Sequence, residues 1–102
     1  MKQVERIRQM ELHLDRASQA VSQLQDAVEQ YAAAQASVRA LRAYYGSDEW
    51  KQDFADDEAG LLPPDLKRGV LSEDAIWNVL EMRKELMERM REIVLTQRSI
   101  EM

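Results

Sequence analysis

The sequence predicts an all-α fold: a long antiparallel helical hairpin, a structured connection containing a short helix, and a four-helix bundle on dimerisation. Three observations predict it. Apolar residues recur at alternating steps of three and four over long stretches at both ends of the chain. Only three Gly and two Pro interrupt 102 residues, and the prolines are adjacent, at Pro63 and Pro64. Between the two periodic stretches, YYGSDEWKQDFADDEAG (residues 44–60) gathers four of the six aromatic residues and six of the nineteen acids.

Helix one is expected over about residues 3–45. One apolar row is Ile7, Leu14, Val21 and Val28; the other is Met10, Ala17, Leu24, Tyr31, Val38 and Tyr45. Ala20, Ala27 and Ala34 widen this stripe with small side chains that permit close approach of another helix. Beyond Val28 the first row passes through Gln35 and Arg42, so the seam drifts and a strict coiled coil over the whole length is not expected. Gly46 suits the left-handed position that ends a helix.

Helix two is expected over about 72–99. Ser72 is a good N-cap, and Glu73 and Asp74 complement the positive helix end. Its apolar face, with Ile76, Val79, Leu80, Met82, Leu86, Met87, Met90, Ile93 and Val94, is broader than a two-row seam and has room for two neighbours.

The connection, 46–71, is too long for a simple helix–helix link and is expected to hold structure. Ser47 caps a short helix over about 48–59, with Asp48 and Glu49 in its first turn and Trp50 and Phe54 on one face. Gly60 ends it, the proline pair breaks the chain direction, and Leu71 or Val70 packs back on Ile76 as a staple. Tyr44, Tyr45, Trp50, Phe54 and Trp77 are expected to converge into a small aromatic core, with Leu61, Leu62 and Leu66 filling gaps. Burial of that kind offsets the ordering entropy of so long a connection.

Lengths separate the two helices. At 1.5 Å per residue, helix one runs roughly 63 Å and helix two roughly 42 Å. In an antiparallel pair the first heptads of helix one, with Val4, Ile7, Met10 and Leu14, are left without a partner. Self-association into a homodimer through those four residues resolves the mismatch; a kink at AAAQAS is the competing resolution.

Composition narrows the function. A chain of 102 residues fits one domain, residues 1–102, with 45% apolar residues. The absence of Cys removes disulfides, thiolate metal sites and cysteine nucleophiles. No apolar run reaches the ~20 residues of a membrane span, and MKQVERIRQM lacks a signal-peptide core, so no membrane association and a cytoplasmic location are expected.

The net charge of −5 is uneven. Residues 1–45 carry six Lys/Arg against five Asp/Glu, residues 46–74 three against nine, and residues 75–102 five against five. An acidic middle repels phosphate, which disfavours nucleic acid as a partner, although Arg6, Arg8, Arg16, Arg39 and Arg42 keep that class in view.

Motifs for chemistry are sparse. Asp53, Asp56, Asp57 and Glu58 lack the spacing of a calcium loop and read as a solvated acidic face, so no metal site is expected. Lys67 and Arg68 precede a helix N-terminus, a favourable place for an anion, but Glu73 and Asp74 already occupy that end. His13, the only histidine, has no partner for acid–base or metal work. No nucleophile motif and no cofactor signature appears, which disfavours enzymatic activity.

YYGSDEWKQDF followed by LPPDLKRGVLSEDAIWNVL resembles a family of short bacterial proteins known as domain of unknown function four-two-nine-eight. The resemblance runs over nearly the whole chain. It rests on the order Tyr44, Tyr45, Gly46, Ser47, Trp50, Asp53 and Phe54, and then Leu66 through Asp74. It implies a stand-alone bacterial cytoplasmic protein and carries no catalytic residues. The unmatched apolar stripe of helix one and the broad stripe of helix two, rather than the resemblance, set the expected function: a non-catalytic helical protein–protein interaction module, a homodimer with a further protein partner. The alternative is a small enzyme or ligand-binding protein with a site at Tyr44, Tyr45, Trp50, Asp53, Lys67 and Arg68.

Overall fold

The computed structural model describes residues 2–97. They form four α-helices, α1 (Lys2–Ala33), α2 (Gln35–Tyr44), α3 (Asp48–Glu58) and α4 (Ala75–Gln97), with a 3-10 turn at Gly69–Leu71. No strand occurs among the described residues, and the fold class is all-α as the periodicity predicts. The chain divides into two compact units, Met1–Ala36 and Ser37–Met102.

In the first unit, every residue of α1 from Lys2 to Gln30 is exposed. Side-chain amides at Gln9 and Gln25 reach carboxylates one turn away, at Glu5 (3.3 Å) and Glu29 (3.5 Å). Such i,i+4 bonds each add a few tenths of a kcal/mol, about 0.2–0.5. The helix expected to run unbroken to residue 45 is interrupted at Ala34, inside AAAQAS. There the amide of Ala34 is shared between the carbonyls of Gln30 (3.1 Å) and Tyr31 (3.0 Å). A bifurcated bond of this kind marks a helix end. The interruption falls where the apolar rows have already lost register and the side chains are short.

The second unit holds the core. Leu71 and Ile76 are its two buried apolar residues among those described, at 7% and 3% exposure. The 3-10 turn packs against both α3 and α4. Leu71 lies in that turn and Ile76 in the first turn of α4, where the hydrophobic staple is predicted. Half-buried Val38, Leu41, Tyr44, Tyr45, Trp50, Phe54, Leu62 and Leu80 add to the apolar contribution.

Local signals place the turns well. Gly46 and Gly60 both adopt positive φ, 77° and 72°, where a side chain would be strained. Each follows a helix, as their sequence positions predict. The hydroxyl of Ser47 accepts the amide of Trp50 at 3.1 Å and caps α3.

Helix two starts later than predicted, at Ala75 rather than Ser72. Ser72 is extended, with ψ at 148°, because it closes the 3-10 turn; its amide donates to the carbonyl of Gly69 at 3.2 Å. Its hydroxyl still accepts the amide of Ala75 at 3.2 Å. The helical hydrogen bonds begin from the carbonyl of Asp74, which accepts the amide of Asn78 at 2.8 Å. At the other end, residues 98 and 99 of the predicted helix lie outside the described residues.

Candidate functional site

The aromatic connection is built by one chain reversal. α2 ends at Tyr44, and Gly46 turns the backbone through its positive φ. Ser47 fixes both sides of the turn: its hydroxyl donates to the carbonyl of Tyr44 (2.6 Å) and accepts the amide of Trp50 (3.1 Å). The reversal brings Asp53, in the second turn of α3, to the end of α2. The phenol of Tyr44 donates to the Asp53 carboxylate at 2.6 Å.

Trp50 is the hub. It stacks on Phe54 with centroids 5.3 Å apart and planes at 25°, and meets Tyr45 edge-on at 5.5 Å and 68°. Both are favoured quadrupole geometries. Its indole N–H donates to the carbonyl of Val70 at 2.9 Å, tying α3 to the 3-10 turn. The hydroxyl of Tyr45 donates to the carbonyl of Glu73 at 3.1 Å, just before α4. Arg68 pairs with the carboxylate of Asp57 and donates to the backbone carbonyls of Pro63 and Leu66. The proline turn is thereby clamped to α3.

The predicted site residues therefore divide. Tyr44 and Asp53 form one bonded pair, Tyr45 and Trp50 another contact, and Arg68 belongs to the clamp on α3. Lys67 is exposed and makes no ion pair among the described residues. Trp77 does not join the aromatic core: it is 51% exposed, and Leu61 and Leu66 are also exposed. Successive helical residues point about 100° apart, so with Ile76 turned inward its neighbour faces outward.

The acids, too, differ from expectation. Asp53, Asp56 and Asp57 are half-buried rather than solvated, and each accepts a side-chain hydrogen bond, from Tyr44, Gln52 (2.8 Å) and Arg68. The sequence reading missed Asp57 as the specific partner of Arg68. It also missed the carbonyls of Val70 and Glu73 as acceptors for the indole and the Tyr45 phenol. The one available signal was the general need of a partly buried indole N–H for an acceptor.

Electrostatics mark one group. The Tyr44 phenol is pushed up from 10.0 to about 12, first by its hydrogen bond to Asp53, then by burial and by the charges of Asp53 and Glu49. Ionising it would replace a bond by two facing anions. A folded value above the unfolded one means the pair stabilises the fold below the ordinary phenol value and loses that contribution as pH rises through about 12. An absorbance titration is expected to show a phenolate appearing near 12 that moves back toward 10.0 in Asp53→Asn. An unchanged titration in that variant would refute the assignment.

No buried side-chain polar atom is left unpaired among the described residues, and no group of three metal-capable side chains occurs there. A shallow concavity runs along one face of α1, beside Leu12, His13 and Arg16, remote in sequence from the aromatic connection. No described helix is long and apolar enough to cross a membrane.

The family model described as domain of unknown function (DUF4298) matches residues 7–93. The chain belongs to this family. The match reaches from the first apolar row of α1 to the outer half of α4, so the aromatic connection lies wholly inside the DUF4298 domain. No match was found among the curated proteins or the solved structures. In this DUF4298 chain the polar atoms of the connection serve the fold: phenols, indole and guanidinium each bond to the chain's own carboxylates or carbonyls.

Proposed function

We propose that this chain is a non-catalytic helical interaction module that works by binding protein, beginning with a second copy of itself. The observation that carries the reading is the apolar stripe of α1. Ile7, Met10, Leu14, Val21, Leu24 and Val28 fall in heptad register, and each is at least half exposed, Leu14 at 59% and Val21 at 65%. Single exposed apolar residues are ordinary, whereas a contiguous stripe marks an interaction surface. A helix in water draws most of its stability from packing its amphipathic face. Val4, at the start of the stripe, is exposed at 36% and extends it to the N-terminal turn.

α4 supports the same reading for a further partner, since Val79, Met82, Leu86, Ile93 and Val94 are exposed along it. The ligand-site alternative has less support, because Tyr44, Tyr45, Trp50, Asp53 and Arg68 already bond within the chain.

Light scattering across a micromolar concentration series tests the proposal. The expected mass is that of two chains, and Leu14→Glu combined with Val21→Glu is expected to reduce it to one. A single-chain mass for the unaltered protein at every concentration would overturn the reading.

A further inference from the structure

We infer that two copies pair through α1 in antiparallel orientation, with Leu14 of each copy facing Leu24 of the other, Val21 facing Ala17, and Met10 facing Val28. This rests on the self-association reading and adds to it an orientation and a register.

The first argument is charge. The half of α1 from Lys2 to Arg16 carries Lys2, Arg6, Arg8 and Arg16 against Glu5, Glu11 and Asp15, with the bases weighted to its first turns, while the half from Ala17 to Ala33 carries Asp26 and Glu29 and no basic residue. Both ends oppose the helix's own dipole, which is positive at the N-terminus and negative at the C-terminus. A parallel neighbour would set like against like in charge and in dipole. An antiparallel neighbour lays the acidic, dipole-negative end of one copy beside the basic, dipole-positive end of the other. In the stated register Arg8 of one copy lies level with Glu29 of the other, both one position outside the seam, so the attraction acts across the pair rather than through a contact.

The second argument is volume. In a parallel pair each residue of the stripe meets its own equivalent, so Ala17 would face Ala17 and leave a hole in the middle of the seam. Antiparallel pairing places Val21 against Ala17 on both sides of the two-fold axis. The small residue is filled by a larger one, as close-packed seams require. Ala20 then lies near Ala20 of the second copy, where two small side chains let the backbones approach. A parallel pair would gain a contact between Arg6 and Glu11 of the second copy, but an exposed ion pair contributes little beside a cavity in the seam.

The register is also selective. Moving the antiparallel pair by one heptad toward the N-termini would put Gln3 opposite Val28, a polar residue against the apolar row. In the stated register each facing position named above is apolar on both sides.

The absence of cysteine from the chain makes the test clean. Met10→Cys and Val28→Cys are prepared separately in the full-length chain, mixed, and treated with a short bismaleimide. Both positions are exposed, so neither change removes a buried group. Crosslinking between residue 10 of one chain and residue 28 of the other is expected in the mixture, and its loss in either variant alone. Crosslinking of Met10→Cys with itself would establish a parallel pair and overturn the orientation while leaving self-association standing. A two-chain mass by light scattering with no crosslink in any combination would overturn α1 as the interface. A single-chain mass would overturn self-association itself.

Discussion

Trp50→Ala is expected to destabilise the Ser37–Met102 unit by about 3 kcal/mol, in the lower range of aromatic truncations because the side chain is half-buried. Three contacts leave together. The stack on Phe54 and the edge contact with Tyr45 join the two ends of the reversal, and the indole N–H holds the 3-10 turn through the carbonyl of Val70. A unit of this size has a total stability of only about 3–10 kcal/mol at the usual contribution per residue, so the loss is a large fraction of it. Trp50→Phe separates the effects. It keeps one ring beside Phe54 and Tyr45, removes the hydrogen bond and trims the indole's second ring, for an expected cost of roughly 1–2 kcal/mol. Chemical denaturation followed by circular dichroism measures both. Equal costs for the two variants would mean that the bond to Val70, rather than ring packing, makes Trp50 the hub.

The sequence made some of this arrangement legible and hid the rest, and the division follows the range of the forces. Gly46, Ser47 and Gly60 act within a few residues of themselves. Their turn and cap roles follow from steric freedom and hydroxyl geometry, and the structure places them as predicted. The heptad rows of α1 likewise depend on local spacing alone. The break at Ala34 falls inside AAAQAS, where a kink is the alternative to self-association; helix lengths raise it, while the run of Ala, which favours helix, argues the other way. The start of α4 was misplaced by three residues, since Ser72 serves the 3-10 turn before it serves the helix.

Within the candidate site, composition pointed to Tyr44, Tyr45, Trp50 and Asp53, which do come together. Composition could not say that their polar atoms would be taken by the chain itself. Backbone carbonyls, such as those of Val70 and Glu73, carry no side-chain signature and so leave no trace in a sequence. The pairing of Arg68 with Asp57 rather than with Asp53 or Asp56 is a choice among equivalent acids that only the path of the proline turn decides.

Ile76→Ala is expected to cost about 3 kcal/mol, within the usual range for removing a buried aliphatic side chain. Ile76 is the most deeply buried residue described, at 3% exposure, and Leu71 is the only other buried one among those described. So small a core has few neighbours to collapse into the space, which keeps the cavity contribution high. Ile76→Val should cost about 1 kcal/mol, because it removes one methyl and keeps the branched shape. Trp77→Ala supplies the contrast. The larger side chain sits one residue further along α4 but is 51% exposed, and surface substitutions of that kind fall within about 0.5 kcal/mol. If chemical denaturation gave Trp77→Ala the larger cost, the inward face of α4 would have to be reassigned, and with it the staple that joins the 3-10 turn to the helix. The expected order, with Ile76 far above its aromatic neighbour, follows from helical phase. Ile76 is buried where the 3-10 turn packs against α4, and a step of about 100° turns the indole of Trp77 to solvent.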